Sequence, residues 1–265
     1  MPSAPIDDYV EAFVARCAVE MVPQDAALES AGVWGVTSGR DKARIRLLVT
    51  DDRAYDRLAA LLPGAQSGSA QVVEKASRCV DLLRGSPGWN PERPATAMIH
   101  HNLWSLPRPA LPSGLTLRPV RRRSGDAFDG VLLEDAAALA VLADPGITDP
   151  PDALADYLRS LAPKTRLLAA IDDSGAVRAT SGSGVFGHEA SVLFVNTDPS
   201  WRGRGIARAM TAAALRVARS GGARRASLVA TDAGAPLYRR LGFQAAGTMT
   251  RFFRQASTSS PPTRS

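Results

Sequence analysis

The stretch from Ser191 to Ala207 limits this chain more than any other. Ser191-Val-Leu-Phe-Val195 is an apolar run that reads as a strand, and the chain from Ile206 carries Ile206, Met210, Ala213 and Val217 at helical spacing. Between them lies Asn196-Thr-Asp-Pro-Ser-Trp-Arg-Gly-Arg-Gly205, so a strand must pass into a helix through a join with two glycines. Glycine at a helix start lets the backbone approach a ligand closely and turns amide N–H groups outward. Those donors, with the positive end of the helix dipole, form an anion site suited to a pyrophosphate.

A second segment downstream has matching chemistry. Ala226–Ala230 reads as a strand and Thr231-Asp-Ala-Gly234 as a turn. Ala235-Pro-Leu-Tyr-Arg-Arg-Leu241 is then a short helix closed by Gly242, with Phe243 opening another extended run. Arg202-x-x-Gly205-x-Ala207 and Leu237-Tyr-Arg-Arg-Leu-Gly-Phe243, taken together, resemble the signatures of the GNAT family, the GCN5-related N-acetyltransferases. The resemblance covers about residues 115–254. It implies an α/β fold with a mixed, mostly antiparallel central sheet, flanking helices and a splayed strand pair, and it implies acetyl-CoA as co-substrate.

By that resemblance, the backbone of Val195, Asn196 and Thr197 pairs with the pantetheine arm as an added strand. The amides of Arg202, Gly203, Arg204, Gly205, Ile206 and Ala207 hold the pyrophosphate, with charge-assisted contacts from Arg202 and Arg204. The mechanism implied is direct attack of an amine on the thioester, which needs a base for the amine and an acid for the leaving thiolate. Tyr238 is the candidate acid; a core tyrosine packing its short helix is the alternative. Some members carry a glutamate on the strand before the glycines. Here Ser191 stands at that place; Glu189, two residues earlier, is the candidate base, with His188 beside it as the alternative, either acting through water, against a solvated strand-end charge. Many members also carry Asn seven residues before the tyrosine; Thr231 stands there and is the candidate second contact to the pantetheine.

Length and composition bound the rest. A chain of 265 residues forms one large or two moderate domains, and 45% hydrophobic with 22% charged residues suits a globular protein. Glu134 and Asp135 break the longest apolar stretch well short of a membrane span, and the early acids Asp7 and Asp8 argue against a secretory leader. Two cysteines, Cys17 and Cys79, build no disulfide scaffold and suit a reducing cytoplasm. The net charge of +6 is nearly all arginine, with only three lysines, as a GC-rich coding sequence produces. No helix steps arginines along one face with interleaved aromatics, so nucleic acid is not the expected partner.

The front of the chain reads as a helix over residues 7–21, strands near 33–37 and 44–50 joined by Ser-Gly-Arg-Asp, and a helix near 51–62. Residues 70–84 favour a helix. A strand is expected near 95–104 between two proline-rich stretches, 85–94 and 107–112. The expected domains are therefore 1–107, a smaller α+β unit compatible with a degenerate GNAT-like half that binds no CoA, and 113–254, with a Ser/Thr/Pro-rich disordered tail at 255–265. In the second domain a strand at 115–120, a helical region opening at Ser124, a turn around 145–151, a helix at 152–161 and strands at 166–171, 176–185 and 190–195 precede the glycine join.

Two decoys are set aside. Gly182-x-Gly184-x-x-Gly187 is followed by a strand where a dinucleotide fingerprint needs a helix. His100 and His101, adjacent on an expected strand, face opposite ways and make a poor metal pair, and no metal is expected. The partner implied is an amine-bearing small molecule or peptide, on a monomer or homodimer. A non-catalytic acyl-CoA-binding module is the rival reading.

Overall fold

The computed structural model describes residues 6–20, 26–38, 44–121, 130–144, 150–160 and 165–254. The readings at 39–41, 124–127, 145–149 and 255–265 lie outside these. The elements run α1 (Ile6–Glu20), β1 (Ala26–Ser30), β2 (Val33–Ser38), β3 (Arg44–Val49), α2 (Tyr55–Leu61), β4 (Ser67–Val73), α3 (Ser77–Gly85), β5 (Asn90–Pro91) and β6 (Ala95–His100). They continue β7 (Leu115–Arg121), β8 (Val131–Leu132), α4 (Leu133–Ala143), α5 (Pro151–Ser160), β9 (Arg166–Asp172), β10 (Val177–Phe186), β11 (Glu189–Thr197), α6 (Ile206–Ser220), β12 (Arg225–Ala230), α7 (Ala235–Arg240) and β13 (Gln244–Arg254). No described helix is long and apolar enough to cross a membrane.

Two compact units result, and neither is the contiguous segment expected. The first comprises the described residues of 1–97 together with 229–232 and 245–254; the second comprises those of 98–228 together with 233–244. In the first, β1 pairs antiparallel with β2, β2 with β3, and β3 runs parallel to β4. The fifth strand of that sheet is β13, antiparallel to β4 from Met249↔Val73 to Arg254↔Gly68. Residues 70–84 are thus not one helix. Val72 and Val73 lie in β4, and the helix starts only at Ser77. The same apolar residues satisfy both periods over so short a run, and the sheet partner decides. A core of Val33, Leu47, Leu58, Val72, Cys79 and Leu83 fills this unit, closed by Phe252 from the far end of the chain.

In the second unit β7, β9, β10 and β11 pair antiparallel in that order, and β11 runs parallel to β12. Strand alternation divides β9 between two cores. Leu167 and Ala169 pack with Leu133, Ala136 and Leu158 of α4 and α5, whereas Leu168 and Ala170 pack with Ile206, Met210 and Ala213 of α6. Both units contain one order: three strands paired antiparallel in succession, β1–β2–β3 and β9–β10–β11, then a helix and a return strand parallel to the last of the three.

Phe252 is fully buried in the first unit's core, so Phe252→Ala is expected to cost about 3–5 kcal/mol. Urea unfolding followed by circular dichroism reads this as a fall in midpoint.

Candidate active site

β11 is a regular antiparallel partner of β10 from Glu189↔Phe186 to Leu193↔Gly182, and then the register slips to Asn196↔Thr180. The extra residue is Phe194, whose φ is 58°, the one positive value outside glycine among the described residues. The Thr180 hydroxyl donates to the Phe194 carbonyl at 3.1 Å, and the Asn196 amide donates to Thr180 Oγ1 at 3.4 Å. On its other edge β11 pairs with β12 only through Glu189, Ala190 and Ser191 among the described pairings. The strand is buried up to Val192 and half-exposed from Leu193 to Thr197. The opening expected near Val195 thus begins just beyond Ser191, and no described pairing covers Val195–Thr197 on the β12 side.

The connection to α6 is held by side chains. Asp198, nearly buried, accepts from the Ser200 N–H at 2.9 Å and the Ser200 hydroxyl at 2.6 Å, capping a 3-10 turn over Pro199–Trp201. Arg178 donates to Asp172 at 2.7 Å and to Asp198 at 2.8 Å. The Ser200 hydroxyl and the Arg178 guanidinium hold the Asp198 carboxyl below the usual range; Ser174 and Arg178 hold Asp172 at about 2. The Trp201 ring carries two guanidinium groups, Arg178 at 5.4 Å and Arg204 at 4.8 Å from its centroid. Arg202 does not point freely at a ligand. It donates to the carbonyls of Thr197 and Ala143, tying the join to the end of α4.

Gly203 and Gly205 have φ of 78° and 76°, and a Cβ on either would meet no atom within 4 Å. Gly205 is the left-handed N-cap of α6, no side chain caps that helix, and the first helical bond runs from the Ala209 N–H to the Gly205 carbonyl. The N–H groups of Ile206, Ala207 and Arg208 therefore point out of the helix end without intrahelical partners. A cavity of about 420 Å³ opens on them, lined by Thr197, Arg202, Gly203, Gly205, Ile206 and Ala207, with Trp201, Arg208, Pro236, Leu237 and Arg240 among the remainder. Bare amides, a helix N-terminus and the two arginines Arg208 and Arg240 fit a diphosphate.

The corresponding join in the first unit, between β3 and α2, has the opposite character. Asp51 accepts from the Arg53 N–H and pairs with its guanidinium, while Asp52 accepts from the Cys79 N–H. That helix mouth is filled by carboxylates.

The remaining expected residues fall in different places. Tyr238 sits half-buried on α7, its ring edge-on to Phe243 at 5.9 Å, with its phenol pushed up to about 12 by burial. Phe243 in turn stacks edge-on with His100 at 5.2 Å. His100 donates Nε2–H to the Leu241 carbonyl at 3.0 Å and accepts at Nδ1 from the Asn102 N–H, so it pins the turn that closes α7. Thr231 is exposed in the turn after β12.

Glu189 is not brought to the site. It lies at the start of β11, roughly 20 Å from Val195 at the rise of an extended strand. There it is nearly buried, with Oε1 at 2.6 Å from the Arg225 guanidinium. His188 occupies the adjoining turn and donates to the Gly222 carbonyl. Counting along the sequence found a carboxylate on the right strand but not at the right end. Trp201 and Arg240 escaped the sequence reading, although Arg240 stands two residues from Tyr238.

Residues 163–245 match the model of the acetyltransferase (GNAT) domain family. The solved structures similar to the chain are GNAT folds. One is a GCN5-related N-acetyltransferase from Kribbella flavida, 22% identical over 94% of this chain and 96% of that one, with a TM-score of 0.59. Another, from Sphaerobacter thermophilus, is 18% identical over 95% and 94%, with a TM-score of 0.53. A third, described as a tandem GNAT protein from the clavulanic acid biosynthesis pathway and solved without AcCoA, is 16% identical over 96% of each chain, with a TM-score of 0.54. No curated protein matches the chain. The GNAT fold expected from the two motifs is thus borne out.

Burial lowers the pKa of His100 from its ordinary 6.5. The unfolded chain therefore binds this proton first, so the contribution is full above about 6.5 and declines as pH falls below it toward the folded value. Urea midpoints at pH 7.5 and 5.5 should show the loss, and His100→Gln should reduce the difference between them.

Proposed function

We propose that the protein is an acetyl-CoA-dependent N-acetyltransferase acting on a primary amine. The observation that carries this reading is the coincidence, within one unit, of an uncapped glycine-led helix end and a strand edge that β12 leaves unpaired beyond Ser191 among the described pairings. One feature answers the diphosphate of CoA and the other its pantetheine amides. When bound, acetyl-CoA would supply an acetyl thioester for attack by a neutral amine, with the free thiol as the second product.

This chain's residues divide the work. The amides from Gly203 to Ala207 bind the diphosphate, with Arg208 and Arg240 lining the same cavity. Arg202 and Arg204 act by shaping that cradle, through the Thr197 and Ala143 carbonyls and the Trp201 ring. The Val195–Thr197 backbone orients the arm, and the Val195 N–H polarises the thioester carbonyl. Tyr238, protonated throughout the working pH range, gives its proton to the sulfur as the C–S bond breaks and recovers one from solvent. With Glu189 engaged by Arg225, a water chain removes the proton of the amine. The first unit, its equivalent helix mouth closed by Asp51 and Arg53, holds no CoA, and the reaction belongs to the cytoplasm, where CoA is available.

Calorimetry with CoA, and thiol release from acetyl-CoA across a panel of amines, test this together. Binding with amine-dependent thiol release is expected; binding without release from any amine would favour the non-catalytic module. Tyr238→Phe should lower kcat by roughly a hundredfold and leave CoA affinity within about twofold. Because the phenol titrates only near 12, the wild-type rate should show no descending limb from it below pH 10.

A further inference from the structure

A positive φ at Phe194 disfavours any residue that carries a Cβ, so something must hold it. The group in contact is the hydroxyl of Thr180, fully buried on the facing strand. It has one proton and two lone pairs. The proton goes to the Phe194 carbonyl at 3.1 Å, so the contact with Asn196 at 3.4 Å is received from the amide N–H. That order turns the Asn196 side-chain oxygen away from Thr180.

The faces matter. Ala179 packs with α6, so Thr180 stands on the other face of the sheet, where Leu193 and Phe194 pack against the α4–α5 core. Thr197 lines the cavity at α6, and its neighbour Asn196, held to Thr180, stands on the opposite face. A donor lying in the α6–α7 cavity and along the open edge leaves this opposite face as the approach to its thioester.

We infer that Thr180 is a positioning residue whose hydroxyl sets the bulge, aligning the Val195 N–H along the open edge and aiming the Asn196 carbonyl oxygen at the incoming amine. The inference rests on the reading of the open edge as the acetyl-CoA site. The amide oxygen accepts one N–H of the amine and so turns its lone pair toward the carbonyl; it does not take the proton. Thr180 touches neither reactant and acts through its two neighbours.

The test uses Thr180→Val, which removes the hydroxyl, Thr180→Ser, which keeps it, and Asn196→Ala, all in the full chain. Calorimetry with CoA and with acetyl-CoA needs no knowledge of the acceptor. Wild type should prefer acetyl-CoA by roughly fivefold, the worth of one good hydrogen bond. Thr180→Val should lose that preference while binding CoA within about twofold of wild type, and Thr180→Ser should restore it. With an amine from the panel, Thr180→Val should lower kcat by roughly ten- to a hundredfold, and Asn196→Ala should raise the KM for the amine about tenfold with kcat less affected.

Several results overturn the inference: no preference in wild type, an unchanged preference and kcat in Thr180→Val, a parallel loss of CoA affinity, or Thr180→Ser behaving as Thr180→Val. A wild-type protein that binds neither CoA nor acetyl-CoA removes the underlying reading, and this inference with it.

Discussion

Unpaired backbone groups are what the rest of this molecule is arranged to keep available. A main-chain N–H or C=O away from water needs a partner, and most strands and helices find theirs at once. β11 pairs with β12 over only its first three residues and then carries its edge forward alone among the described pairings. α6 begins at a left-handed glycine with no side chain folded over its first turn. The two openings adjoin because the same thirteen residues, 195–207, pass from one to the other. A ligand with amides along an arm and a diphosphate at its end completes both.

Keeping such a mouth open requires rigidity around it. Asp198 caps the 3-10 turn, Arg178 spans Asp172 and Asp198, and Trp201 lies between two guanidinium groups. Arg202 adds a tie to the end of α4. The join has little freedom to collapse onto its own amides, so less ordering cost falls on binding. Several of the arginines near the site therefore act as structural fasteners, and those left lining the cavity are Arg208 and Arg240 as well as Arg202.

The two units show how one topology supports opposite chemistry. Each passes from the last of three successive antiparallel strands through a helix to a parallel return strand. In the second the join is glycine and arginine, and the helix end is bare. In the first, Asp51 and Asp52 occupy that place and their carboxylates are consumed by Arg53 and the Cys79 N–H. Carboxylates at the helix mouth repel the very anion that its dipole would attract.

Much of this was readable in the chain. The glycine join, the helix it opens and the strand–turn–helix around Tyr238 are local: positive φ at Gly203 and Gly205, apolar spacing along α6 and the stop at Gly242 follow from residue types within a few positions. What the sequence left undecided was every question of partnership. Residues 70–84 suit either period until β3 and β13 flank β4; β13 itself joins the unit built by the front of the chain; and Glu189 stands on the expected strand, yet its end of that strand meets Arg225. The sequence by itself determined the local chemistry of the donor cradle, because backbone conformation there depends on glycine. Only the tertiary structure decided which side chains face it, because the sheet register between distant strands sets the bulge, the open edge and the end at which each charge is buried.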